Sequence, residues 1–149
     1  MKRVRLLSLL LFAVMCIGLS SCNSEEQVAD LQVTNYLTGK WGLIHTSGWE
    51  YNNVGVQVEW DRDDSGFFYT FKKDGSGYKG TSLKYYFEWE VNDNKLLLID
   101  DNTAYFENDF FNYFTIKSVT SKTLVLDWED YDIHGVSIGQ GTDTFNRIY

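Results

Sequence analysis

Proline is wholly absent, so every chain reversal must be made by Gly, Asn or Asp. Cysteine occurs twice, at Cys16 and Cys22, and histidine twice, at His45 and His134. With so few of either, a zinc site built on thiolates is excluded and the choice of general base is narrow. No apolar run is long enough to cross a bilayer as a helix. The longest, residues 6–17, is interrupted only by Ser8 and spans about twelve residues, against roughly twenty needed. Basic charge is also scarce, with 13 Lys and Arg against 21 Asp and Glu. A surface of that sign repels nucleic acid, which excludes it as a partner.

The N-terminus has the three-part build of a secretory signal. Lys2, Arg3 and Arg5 precede the apolar run, and Leu19-Ser20-Ser21-Cys22 follows it. This ending resembles the lipobox of bacterial lipoproteins. The resemblance implies cleavage before Cys22, lipidation of its thiol and acylation of the new amine. Several chains on one residue anchor a protein stably, where one does not. The expected organisation is a signal over 1–21, a lipidated cysteine and tether over 22–35, and one folded domain over 36–149. The chain is then an outer-membrane lipoprotein of the cell envelope, joined to the membrane by its lipid. Asn23-Ser24-Glu25-Glu26-Gln27 resembles an acidic tag that sends some lipoproteins to the cell surface; it reads equally as a solvated linker. Loss of 1–21 removes three basic residues and no acidic one, so 10 − 21 leaves a formal charge of −11. Cys16 leaves with the signal and Cys22 carries lipid, so packing alone must hold the fold.

In the domain the hydrophobic period is two. Over residues 84–91, Tyr85, Phe87, Trp89 and Val91 share one face, while Lys84, Tyr86, Glu88 and Glu90 share the other. That alternation predicts a strand with one face in a core and one in water. Residues 123–130 repeat it with Leu124, Leu126 and Trp128. Further strands are expected over 41–50, 54–60, 67–72, 95–99, 113–119 and 142–149. Residues 73–77, 92–94 and 118–122 read as tight turns, and only 26–37 as a short helix. No longer repeat or second domain boundary is visible. About eight antiparallel strands in up-and-down order predict an all-β closed barrel.

Gly39-Lys40-Trp41 opens the first strand and Arg147 lies in the last. The pairing resembles the lipocalin and wider calycin pattern, in which an arginine packs on a tryptophan and closes the barrel's base. The chain is similar, more narrowly, to the small lipocalin-like domains of bacterial lipoproteins. It shares Leu37-Thr38-Gly39-Lys40-Trp41, then Phe71-Lys72-Lys73-Asp74-Gly75-Ser76-Gly77, then Phe87-Glu88-Trp89, then Lys95-Leu96-Leu97-Leu98-Ile99. It lacks the second block of eukaryotic lipocalins and any disulfide. The resemblance implies an up-and-down barrel and makes Trp41 and Arg147 determinants of fold.

Little in the chain points to catalysis. No Gly-x-Ser-x-Gly elbow occurs, and an enzyme would need His45 or His134 to meet a carboxylate inside a cleft. Asp61-Arg62-Asp63-Asp64-Ser65-Gly66 begins like a calcium loop, but its twelfth position is Lys72, so it reads as a solvated turn. Residues 127–132 are acidic on an outer strand face. Gly75, Gly77 and Gly80 read as turn glycines, and no cofactor or metal is expected. The aromatics carry the functional expectation. Trp49, Tyr51 and Trp60 flank a Gly-containing loop, and Tyr105, Phe106 and Phe110 form a second cluster. These six are the candidate ligand-binding residues, and they serve equally as a lid. The chain is expected to be a non-enzymatic binding lipoprotein holding a small apolar or amphipathic ligand. The alternative is a filled barrel that works through its outer surface on a glycan, a protein partner or an envelope assembly.

Overall fold

A computed structural model describes residues 32–100 and 111–149. It is all β apart from one short helix over residues 32–37. The strands are β1 (Gly39–Tyr51), β2 (Gln57–Asp63), β3 (Phe68–Phe71), β4 (Ser76–Gly80), β5 (Lys84–Asn92), β6 (Lys95–Asp100), β7 (Phe111–Val119), β8 (Thr123–Tyr131) and β9 (Ser137–Ile148). All pair antiparallel, in the order β2-β1-β3-β4-β5-β6-β7-β8-β9, and β9 returns to β1. Eight strands thus close a barrel and β2 lies outside the closure.

β1 makes this possible by its length. Its first residues pair with β3, from Gly39↔Phe71 to Gly42↔Phe68, and its second half pairs with β2 on the same edge, from His45↔Asp63 to Tyr51↔Gln57. The opposite edge runs along β9 from Lys40↔Ile148 to Glu50↔Gly139. A bulge between Leu43 and His45 re-aims the side chains. The result is a barrel from which the β1–β2 and β8–β9 hairpins extend together at one end.

Two sequence expectations need correction. The strand placed over 54–60 begins at Gln57, because Asn52 Oδ1 accepts the backbone N–H groups of Val54 and Val56 and folds them into a turn. The turn expected over 73–77 overlaps the start of the short strand β4. Its Gly77 is no turn glycine but a buried strand residue, since Phe87 occupies the space a Cβ would need.

Alternation directs Trp41, Tyr69, Phe71, Phe87, Trp89, Leu96, Leu98, Ile116, Leu124, Leu126 and Phe145 into one buried cluster. Tyr69 makes ring contacts with Phe71, Phe87 and Phe145 at centroid separations of 5.6, 6.1 and 5.5 Å. Trp89 meets Phe71 edge-on at 5.4 Å. Such pairs add about 0.5–1.5 kcal/mol each beyond the area they bury. Side chains therefore fill the barrel, as expected at this strand number.

The base closes as the sequence implied. The Arg147 guanidinium lies 4.3 Å from the Trp41 ring centroid. Its N–H groups donate to the carbonyls of Thr38 (2.8 Å), Ser121 (2.8 Å) and Tyr36. Trp41 Nε1 donates to the Leu37 carbonyl at 2.7 Å. One cation thus ties the helix end, the β7–β8 turn and the last strand to one ring.

Candidate functional site

The six sequence candidates separate in the structure. Trp49 and Tyr51 meet edge-on, with centroids 5.5 Å apart, on the outer face of β1. Trp60 points to the inner face of β2 and stacks on Trp128 of β8, at 5.9 Å and 13° between planes. Tyr105, Phe106 and Phe110 lie outside the described residues, as do Cys22 and the signal segment.

The Trp60–Trp128 stack rests on two glycines. Gly48 and Gly141 are cross-strand partners, flanked by Trp60 on β2 and Trp128 on β8. A Cβ on Gly141 would come 2.6 Å from both the Ser47 carbonyl and Trp128 Cζ2. The bare backbone lets both indoles lie flat over the sheet. Beneath them sits a small polar network: Trp60 Nε1 donates to Thr46 Oγ1 at 3.2 Å, and that hydroxyl donates to Asp143 Oδ1 at 2.7 Å. The Trp128 indole also donates to the Asp143 carboxylate. Burial nonetheless raises the Asp143 pKa above its ordinary value, with repulsion from Asp64 adding to the effect.

Outside, the register builds a groove. Ser47 pairs with Thr142, Thr142 with Asp127, Asp127 with Thr115, and Thr115 with Lys95. These side chains form one polar row across β1, β9, β8, β7 and β6. Thr142 Oγ1 donates to Asp127 Oδ1 at 2.6 Å, Lys95 Nζ to Thr115 Oγ1 at 2.7 Å, and Lys117 Nζ lies 3.5 Å from Asp127 Oδ2. Two residues further along, Trp49 pairs with Gln140 and Gln140 with Glu129. Tyr113 stands beyond them on β7, and Tyr131 follows at the end of β8. Together they bound a groove of about 470 Å³, within the roughly 300–1,000 Å³ typical of ligand sites. Tyr131 keeps its proton to a higher pH than usual, chiefly because its hydroxyl donates to Glu129.

A family model for a lipocalin-like domain matches residues 37–126. The chain belongs to this lipocalin-like family. The match runs from the end of the helix to the middle of β8, and the eight-strand closure with Arg147 on Trp41 agrees with it. No curated protein matches the chain. Of the groove of this lipocalin-like domain, Asp127, Glu129, Tyr131, Gln140 and Thr142 lie beyond the matched span. The lipocalin-like family is one of binding proteins in general, so ligand binding is the coarse function its fold carries.

Sequence reasoning passed over Tyr131, Tyr113 and Gln140. A signal was present for the first. Tyr51-Asn52-Asn53-Val54-Gly55-Val56 and Tyr131-Asp132-Ile133-His134-Gly135-Val136 make the same turn. Asn52 and Asp132 each accept the backbone N–H groups two and four residues on. Gly55 and Gly135 share a φ of 76°, which glycine adopts without strain. The two turns set Tyr51 and Tyr131 at matching strand ends.

His45 meets two carboxylates, Asp61 at 3.2 Å and Asp63 at 3.1 Å, but both aspartates stand largely in water. That pairing is a solvent-exposed cross-strand contact on the outer face of β1 and β2. Among the described residues no cluster of three or more His, Cys, Asp or Glu could hold a metal ion.

Proposed function

We propose that the chain is an exported, lipid-anchored, non-catalytic binding module that works through the outside of a filled barrel. The filled interior carries this reading. Tyr69, Phe71, Phe87, Trp89 and Phe145 occupy the space where an apolar ligand would sit, and all are at most 7% exposed. The base is shut by Trp41 and Arg147, and the stacked pair Trp60 and Trp128 covers the inner face towards the other end. Displacing one such ring costs packing of the order of 3–5 kcal/mol, which a small apolar ligand must first make up. The outer groove needs no such rearrangement. The lipobox at Cys22 supports the anchor, and the cell envelope is the compartment it implies.

The test is a native mass spectrum of the chain purified gently from cells, beside the same protein after denaturation and refolding. Equal masses in both, with only the covalent acyl chains attached, are expected. A discrete extra mass of a lipid or sterol, lost on denaturation, would overturn the outer-surface reading and place a ligand inside the barrel.

A further inference from the structure

From the outer groove over β1, β9, β8 and β7, we infer that this module binds an uncharged oligosaccharide, laid across the strands between Trp49 and Tyr113. The inference rests on the outer-surface reading and gives it a ligand class. A sugar ring has an apolar C–H face and a polar hydroxyl edge, so its site needs flat aromatic surface beside convergent hydrogen-bonding groups. The groove offers both. Trp49 is half-buried, held edge-on by Tyr51, and so presents a fixed indole at one end. Tyr113, 61% exposed, stands at the other, three strands away. At the usual strand spacing that is about 14 Å, the scale of a short oligosaccharide. Between them Gln140 and Glu129 project outward on neighbouring strands. Glu129 accepts strongly from hydroxyls because its acceptor is charged, while the Gln140 amide both donates and accepts.

Two competing occupants fit less well. A peptide binding by strand addition needs a free backbone edge. Beneath the Gln140 row β9 is paired on both sides, to β1 and β8, so the floor of the groove offers none there. An anionic glycan meets Asp127 and Glu129 on a chain that carries 21 acidic residues against 13 basic ones. Of the lysines beside these carboxylates, Lys117 lies 3.5 Å from Asp127 Oδ2 and Lys95 is held by Thr115 Oγ1 at 2.7 Å. Charge therefore selects a neutral chain.

The experiment is calorimetric titration of the purified full chain with maltohexaose, cellohexaose, laminarihexaose and xylohexaose, and with polygalacturonate as an anionic probe. Saturable binding of at least one neutral hexasaccharide is expected. Trp49→Ala and, separately, Gln140→Ala should weaken it about tenfold or more, with polygalacturonate inert. Because Gln140 is exposed, its variant keeps the test open if Trp49→Ala unfolds. Silence towards all four neutral sugars, binding unchanged in both variants, or a preference for polygalacturonate overturns the inference. If native masses also show no interior ligand, the outer-surface reading survives that failure; an interior lipid would end both.

Discussion

Asp143 is drawn inward from β9, where burial disfavours its charged form even though Thr46 and Trp128 both donate to it. Its folded-state pKa is therefore raised, so the charged carboxylate weakens the fold at neutral pH. That cost disappears as pH falls through the raised value, because the folded state takes up the proton before the unfolded chain does. Asp143→Asn removes the charge and keeps an oxygen for Thr46. Urea unfolding should show the wild type losing stability relative to this variant as pH rises from about 4 to 7. Parallel profiles would mean that the carboxylate is not desolvated. Arg147 is the contrasting residue. It spends its charge on three backbone carbonyls and one indole at the surface of the base, where a guanidinium is readily satisfied.

Gly48 and Gly141 show what an element needs from a missing side chain. They let β1 and β9 run close under the two stacked indoles, so the hairpins hold together beyond the closed barrel. Gly141→Ala would set a Cβ 2.6 Å from a carbonyl oxygen and 2.6 and 2.8 Å from atoms of the Trp128 indole. The backbone or the stack must move. A loss of roughly 2–3 kcal/mol in chemical denaturation is expected, at the upper part of the range for overpacking. A neutral effect would show that Trp128 does not lie over this strand.

The strands that alternate cleanly were legible in the sequence. Leu124, Leu126 and Trp128 on β8, and Phe87 and Trp89 on β5, announce their inner face by period alone. β4 escaped because Ser76-Gly77-Tyr78-Lys79-Gly80 is rich in residues that weaken strands, and only Phe87's ring explains why Gly77 belongs in one. β2 starts three residues later than its pattern suggests, because Val54 and Val56 look like strand formers whereas the Asn52 carboxamide holds them in a turn. The groove was the least legible feature. Trp49, Gln140 and Glu129 are far apart in sequence, and only the register of three strands sets them in one row. Pattern alone could pick out aromatics beside loops, but it could not say that Trp49 faces out while Trp60 faces in.

At the scale of the whole molecule, the helix over residues 32–37 and the groove lie towards opposite ends of β1. The helix over residues 32–37 meets the barrel at the base, where Leu37 is fully buried beside Trp41. The groove begins at Ser47 and reaches Trp49, ten residues along β1 from Gly39, or about 33 Å of extended strand. An anchor at Cys22 would join the helix through a segment that spans at most about 35 Å. It would hold the protein by its base and turn the groove away from the lipid. Anchoring and binding should then be separable. Cys22→Ser is expected to lose palmitate labelling and to move from the membrane pellet to the soluble fraction. Its affinity for any ligand of the groove should remain within about twofold of the wild type, since the helix and Trp49 are separated by most of the length of β1. A Cys22→Ser chain still labelled and sedimenting with membranes would refute the lipobox reading. A released chain with weakened binding would instead show that the lipid end takes part in the site, against the layout of the fold.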